Sequence, residues 1–268
     1  MLKKLKNLLN AEVDPAFAKR AEYIFTQIEI HKPKNVLDIG CGRGFYVNAL
    51  TIFPFIQKIE GIDLNEEYLK KAQENINNKN IYLQAASVYK LPFKNDSFEC
   101  IILSEVLEHL QFEKKALEEI KRVLKKNGLL LITVPSKNFP FLWDPLNFIL
   151  MNFFNTHINK DIWWLAGMWA GHLRLYKKDE LERKINDANL YPTEIKTFLN
   201  HCWPFSHLLL YGIGKNIVER LGINSFNRFD FRKKSLSSIL ASVMRFPSKF
   251  DSKNPNQSVT IVMSAIKK

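Results

Sequence analysis

The sequence predicts an α/β fold, a mostly parallel sheet with helices on both faces. Three observations carry that expectation. Short apolar runs alternate with segments of helical periodicity from Asp14 to Pro135. One of them, Asn35–Ile39, is the β-branched and leucine run expected of a buried parallel strand. It ends in Gly40, Gly42 and Gly44, and Phe45 to Leu50 then reads as a helix. A strand, a glycine turn and a helix in that order make a nucleotide-type site at the carboxyl end of a sheet, because bare backbone lets a ligand approach closely.

The elements follow in chain order. Asp14-Pro15 starts a helix, with aspartate at the cap and proline in the first turn. Phe17, Ala21, Ile24, Phe25 and Ile28 recur at helical spacing and predict a face laid on the sheet. Ile59–Asp63 is a second strand that ends in an acid. Asp63 lies about 20 residues past the glycines, where a carboxylate can accept both ribose hydroxyls of a nucleoside. It could instead cap the next helix, but Asn65 already stands at a capping position before Tyr68, Leu69, Ala72 and Ile76. Asn80–Ala85 is a third strand and Phe98–Ser104 a fourth. Leu117, Ile120 and Leu124, widened by Ala116 and Val123, mark a helix that Asn127-Gly128 is expected to end. Leu129–Val134 is a fifth strand, stopped by Pro135.

The alternation then breaks. Residues 136–170 hold Phe139, Phe141, Trp143, Phe148, Phe153, Phe154, Trp163, Trp164 and Trp169, more aromatic surface than a connection requires. A helical cap on the core and a substrate lid both suit that composition. Asp179 and Glu180 open a further helix through Leu181 and Ile185, Thr193–Leu199 is a sixth strand, and Gln257–Ile266 alternates as a last one. Between those strands lies a second insertion, 200–256. In it Leu236, Ile239, Leu240, Val243 and Met244 share one helical face directly after Arg232-Lys233-Lys234, a pattern that packs on its own domain or lies in a membrane interface.

Composition sets bounds. The 268 residues, 46% hydrophobic and 25% charged, suffice for one large globular core. The formal net charge is +12, and from His201 onward eleven basic residues face three acidic ones. That bias is either a solvated surface or a means of meeting an anionic partner. Cys41, Cys100 and Cys202 have no metal spacing, which is expected of a reduced, intracellular protein. Met1–Asn10 is too short and too charged for a signal peptide, and no apolar run reaches the roughly 18 residues of a membrane span.

The pattern Asp38-x-Gly40-x-Gly42-x-Gly44 differs from the G-x-G-x-x-G spacing of dinucleotide sites. It resembles the first motif of class I S-adenosylmethionine (SAM) methyltransferases. Two further stretches extend the resemblance across Val36–Leu199. Ala86-Ser-Val-Tyr-Lys-Leu-Pro-Phe93 is similar to the family's G-D-A-x-x-L-P-F, with Ser87 where relatives carry aspartate. Phe98-Glu-Cys-Ile-Ile-Leu-Ser-Glu-Val-Leu-Glu-His-Leu110 follows F-D-x-V-x-x-x-x-V-L-E-H-L, with Glu99 for aspartate. The resemblance implies a Rossmann-like, doubly wound, seven-stranded sheet whose last strand runs antiparallel beside the sixth. It implies one domain over 1–268, with its core in 14–135, 171–199 and 257–268 and insertions at 136–170 and 200–256.

It also implies SAM as cofactor. Asp38 and the Gly40–Gly44 backbone, including Cys41, would hold the methionine part. Asp63, with Leu64 beside it, would hold the ribose, and Ser87 with Val88 would meet the adenine edge. Ser104 and Glu105 would line the methyl side. His109 and His172 are the candidate bases for an oxygen acceptor, and each could equally be structural. The expected reaction is methyl transfer to oxygen or carbon of an apolar or lipid-linked small molecule. An anionic membrane surface is a second expected partner through 200–256, and nucleic acid is not expected. The protein would be cytoplasmic, or peripheral on the inner face of a membrane. Two other readings stay open: a non-catalytic, membrane-associated nucleoside-binding scaffold, and a nicotinamide oxidoreductase, which the glycine spacing disfavours.

Overall fold

The computed structural model describes residues 2–76, 78–162, 164–214, 235–253 and 255–268. Seven strands form one sheet: β1 (Asn35–Ile39), β2 (Lys58–Asp63), β3 (Ile81–Ala85), β4 (Phe98–Ser104), β5 (Leu124–Pro135), β6 (Tyr191–Phe198) and β7 (Thr260–Ile266). Their order is β3-β2-β1-β4-β5-β7-β6. The first five pair in parallel, and β7 inserts antiparallel between β5 and β6. This is the Rossmann-like sheet the sequence leads one to expect. The strand order reverses between β1 and β4, and their carboxyl ends therefore open a crevice.

Strand residues alternate between two cores. Leu37, Ile101, Leu103, Leu130 and Ile132 face α5 (Glu113–Val123) and α7 (Lys178–Asp187). Val36, Cys100, Ile102, Leu129 and Leu131 face α1 (Leu2–Asn10), α2 (Pro15–His31) and α3 (Phe45–Ala49). Burying an Ile or Leu side chain on either face contributes about 1.5–3 kcal/mol. The caps are those expected. The Asp14 carboxylate accepts from the amides of Ala16 and Phe17, and Asn65 accepts from Tyr68 at the start of α4 (Glu66–Asn75). The 9-residue α1 was not anticipated. The helix after the glycines ends at Ala49, one residue short, in a 3-10 turn over Leu50–Ile52.

One boundary needs correction. α5 ends at Val123, not at Asn127-Gly128, and Leu124 already belongs to β5. Phe98 pairs with Leu124 and Cys100 with Leu129, so 125–128 bulge out of the ladder. Asn127, at φ 60, takes the left-handed conformation of that bulge, and its amide donates to Lys267 O on the way out of β7. Asn and Gly suit a bulge as well as a helix stop, and only the strand pairing chooses between them.

The 136–170 insertion forms α6 (Pro145–Phe153) and a 3-10 turn over Gly167–Trp169. Phe139 and Trp143 are buried with Met168, Leu175, Leu199 and Val259 in a third core at the sheet's carboxyl edge. Phe153 and Phe154, by contrast, are 76% and 68% exposed. The aromatic stretch thus both caps the core and presents apolar side chains to solvent. It is also tied to the second insertion, because the amides of Phe205 and His207 donate to the carbonyls of Leu142 and Trp143. In that insertion α8 (Ser235–Arg245) appears where the stripe predicts a helix. It packs on its own domain, against α1 and α2, through its buried Ala241 and half-buried Met244, while Ile239, Leu240 and Val243 stay exposed. Trp163, Lys215, Glu219, Arg220, Arg228, Asp230, Arg232, Lys233, Lys234 and the Leu236 side chain lie outside the described residues. No helix among the described residues is long and apolar enough to cross a membrane.

Candidate functional site

Three carboxyl ends converge on the crevice. β1 delivers Asp38 and the glycine turn, β2 delivers Asp63, and β4 delivers Ser104 and Glu105. The turn is fastened to β2 by the amides of Gly40 and Cys41, which both donate to Ile62 O at 2.8 and 2.9 Å. Gly40 has φ +70, and a Cβ there would stand 2.5 Å from Val106 Cγ2, so no other residue fits without a shift. Gly42 also has positive φ, +53, but a Cβ there would meet nothing within 4 Å, so the turn opens onto free space.

Asp63 braces that turn. Its Oδ2 accepts from the Gly42 amide and its Oδ1 from the Asn65 amide, both at 2.8 Å. A carboxylate offers about four lone-pair directions, so two remain. Asp38 is 1% exposed, and its Oδ2 has no hydrogen-bond partner. Burial, and then the charge of Asp63, push its pKa well above the ordinary carboxylate value. Burial does the same to the Cys41 thiol, with Asp38 and Asp63 adding to it, and an un-ionised thiol is a poor nucleophile.

The other expected residues fall around this centre. Leu64 is largely exposed. The Ser87 hydroxyl accepts from the Tyr89 amide at 3.2 Å in a tight turn, and Val88 beside it is buried. Ser104 Oγ lies 2.9 Å from Thr133 Oγ1 and 3.3 Å from the Tyr46 hydroxyl. Thr133 Oγ1 donates to Glu105 Oε1 at 3.0 Å, and Arg20 Nη1 stands 3.5 Å from Glu105 Oε2. Burial opposes the Arg20 charge, but the carboxylates of Glu105 and Asp14 outweigh it and hold the guanidinium pKa above its ordinary value. Glu105 itself has φ 56, a left-handed conformation that costs a residue with a Cβ about 1–2 kcal/mol. Such strain is concentrated at functional sites.

His109 and His172 do come together, their rings 4.9 Å apart and edge to face. Both approach Glu108, the residue before His109. The residue list drawn from sequence lacked Glu108, Arg20, Tyr46 and Thr133. Arg20 carried a readable signal, since it sits three residues after Phe17 and four before Ile24, a charge on an otherwise apolar face. Thr133 carried none, being a small residue inside an apolar strand.

A family model described as a methyltransferase domain matches residues 37–132. That span runs from the strand before the glycine turn to the strand beside β4, and it contains Asp38, the three glycines, Asp63 and Glu105. Residues 37–132 carry the sequence pattern of a methyltransferase domain. An uncharacterized methyltransferase of Bacillus subtilis, YcgJ, is 34% identical over 107 residues, covering 39% of this chain and 42% of its own. The demethylmenaquinone methyltransferase of Porphyromonas gingivalis is 26% identical over 160 residues, covering 58% and 62%. The chain spans about half the length of the first curated relatives it matches. A crystal structure of a SAM-dependent methyltransferase from Mesorhizobium loti shares the fold with a TM-score of 0.54 at 15% identity, covering 89% of this chain and 93% of that one. The methyltransferase family match ends at residue 132.

Proposed function

We propose that this chain, 1–268, acts as one domain that transfers a methyl group from SAM to an apolar or lipid-linked small molecule, at oxygen or carbon. The carrying observation is the buried, unpartnered Asp38 oxygen below a glycine turn that opens onto free space. A carboxyl held against its own charge beside a second acid is a receptor for a cation, and SAM carries an ammonium and a sulfonium. The residues present therefore fit the cofactor. Asp38 and the Gly40–Gly44 backbone would hold the methionine part, and the free lone pairs of Asp63 the ribose hydroxyls. Leu64, Ser87 and Val88 would flank the nucleoside, and Ser104 and Glu105 the methyl side. When bound, SAM supplies an electrophilic methyl on sulfur, so the protein has to orient the acceptor and keep water out. For an oxygen acceptor the proton would go to Nε2 of His109 or His172. Burial, then His109, lower the His172 pKa and keep that ring neutral.

The apolar acceptor class is supported by the exposed aromatic surface of the first insertion and by the quinone-type name of one relative. Calorimetry with SAM, its demethylated product and NAD tests the reading. Micromolar-range binding of the first two and none of NAD is expected, and NAD binding without SAM heat would overturn it. A second reading keeps the nucleoside site without catalysis, on a membrane-associated scaffold. The exposed Phe153, Phe154, Ile239 and Val243 favour it, and SAM binding with no methyl transfer to any apolar acceptor would select it.

A further inference from the structure

Two segments far apart in sequence are laced together beyond β4. The turn Leu107–His109 receives the Leu173 amide on Glu108 O at 3.0 Å, and the Arg174 guanidinium reaches the carbonyls of Leu107 and Leu110. This fixes His109 against His172. Each ring has its Nδ1 on a backbone carbonyl: His109 on Gly171 O at 2.9 Å and His172 on Met168 O at 2.6 Å. A carbonyl only accepts, so the proton of each neutral ring sits on Nδ1 and Nε2 is left with a bare lone pair.

Both Nε2 atoms face the same oxygen. His109 Nε2 is 3.7 Å and His172 Nε2 3.9 Å from Glu108 Oε1. Glu108 is 0% exposed, and neither of its carboxylate oxygens has a hydrogen-bond partner. Three lone-pair atoms thus converge around a fully buried acid, and all the ligating atoms lie within 4.8 Å of one another. A shared proton does not resolve this, because 3.7 and 3.9 Å exceed hydrogen-bond reach. A metal ion does. Tetrahedral ligands at zinc bond lengths stand about 3.3 Å apart, so the two nitrogen–oxygen distances of 3.7 and 3.9 Å would close by about half an ångström and the nitrogens, within 4.8 Å of each other, by no more than about 1.5 Å.

We propose that Glu108, His109 and His172 form a binding site for a divalent zinc-class ion, held by one carboxylate oxygen and two imidazole Nε2 atoms. Two imidazoles select zinc, cobalt or nickel over magnesium and calcium, which prefer oxygen. The backbone carbonyls on the two Nδ1 atoms supply the orientation that ligating histidines need. Three protein ligands leave a coordination position open, and His109, 44% exposed at its side chain, keeps the site accessible. The open position takes water or an acceptor oxygen. The same nitrogens cannot then serve as proton acceptors, so the site assigns them a different role from the base considered above.

The test is a cobalt titration of untagged, EDTA-treated protein, followed by visible absorption, and it reads no methyl transfer. One Co²⁺ per chain with a low-coordinate spectrum is expected, displaced by Zn²⁺ and not by Mg²⁺. Glu108→Gln, His109→Ala and His172→Ala should each weaken Co²⁺ binding at least tenfold. His109 is the most exposed of the three, so its variant keeps the fold if the others do not, as checked by thermal melting. No Co²⁺ binding at micromolar concentration, unchanged binding in His109→Ala, or displacement by Mg²⁺ overturns the inference. SAM calorimetry on the same metal-free protein separates failure here from failure of the methyltransferase reading.

Discussion

Replacing Asp38 with asparagine should make the ligand-free protein more stable and a poorer binder of SAM. Asp38 ionises at its ordinary value of 3.8 in the unfolded chain, whereas burial and Asp63 raise its pKa well above that in the folded one. Above pH 4 the unfolded state therefore sheds a proton that the folded state keeps. Stability falls as pH rises, by about 1.4 kcal/mol per unit, until the folded pKa is reached. Asparagine does not titrate. The difference in unfolding free energy, Asp38→Asn minus wild type, should climb with that slope above pH 4 and level off at the folded pKa. Urea denaturation between pH 4 and 7 measures it, and the carboxylates with lowered pKa values, such as Glu99 and Glu119, cancel in the difference. The same substitution removes a charge-assisted contact to a cationic ligand, a loss of about 1.5–3 kcal/mol. Wild-type binding should also release a proton, seen as a binding heat that depends on buffer ionisation enthalpy. A pH-independent difference together with an unchanged Kd would refute the reasoning, because Asp38 would then be neither strained nor turned towards the ligand.

Three further outcomes are expected. Gly42→Ala places a methyl group in the open space of the turn, so SAM calorimetry should show weakened binding while melting shows a cost of only about 1–2 kcal/mol for the left-handed backbone; unchanged affinity would put the ligand elsewhere. His207, stacked on Tyr211, has its pKa pushed down to about 4 by burial, against the pull of Asp144 and Asp14. Between pH 6.5 and 4 the unfolded chain takes up a proton that the folded one refuses, so stability should fall by about 3 kcal/mol, and His207→Phe should remove that slope from the pH dependence of urea midpoints. Sedimentation with anionic vesicles at low salt should recover the protein and release it at high salt. Phe153→Ser with Phe154→Ser should reduce recovery, since each inserted ring contributes about 1.5–3 kcal/mol, and equal recovery would clear this surface of the role.

Much of the fold was legible because its determinants are local. A β-branched run, a glycine turn and a capped helix declare themselves within a few residues, and so Asn35–Ile39, Gly40–Gly44, Asp14 and Asn65 were each read correctly. Asn127-Gly128 misled for the same reason: locally it fits a helix end, and pairing of Phe98 with Leu124 makes it a bulge. The helical stripe of α8 was also legible, but which side it buries was not. Periodicity fixes a face, and tertiary packing decides what that face meets, here leaving Ile239 and Val243 exposed.

The sequence by itself determined the strands, the glycine turn and the acids at the strand ends, since each follows from chain geometry over one strand and one turn. Only the tertiary structure decided the charges and lone pairs of the site. Arg20 meets Glu105 across the crevice, Asp38 loses its solvent, and His172 closes on Glu108 from a segment beyond the aromatic insertion. These are contacts between residues distant in sequence, and their electrostatics depend on burial, a property no stretch of chain possesses before it is packed.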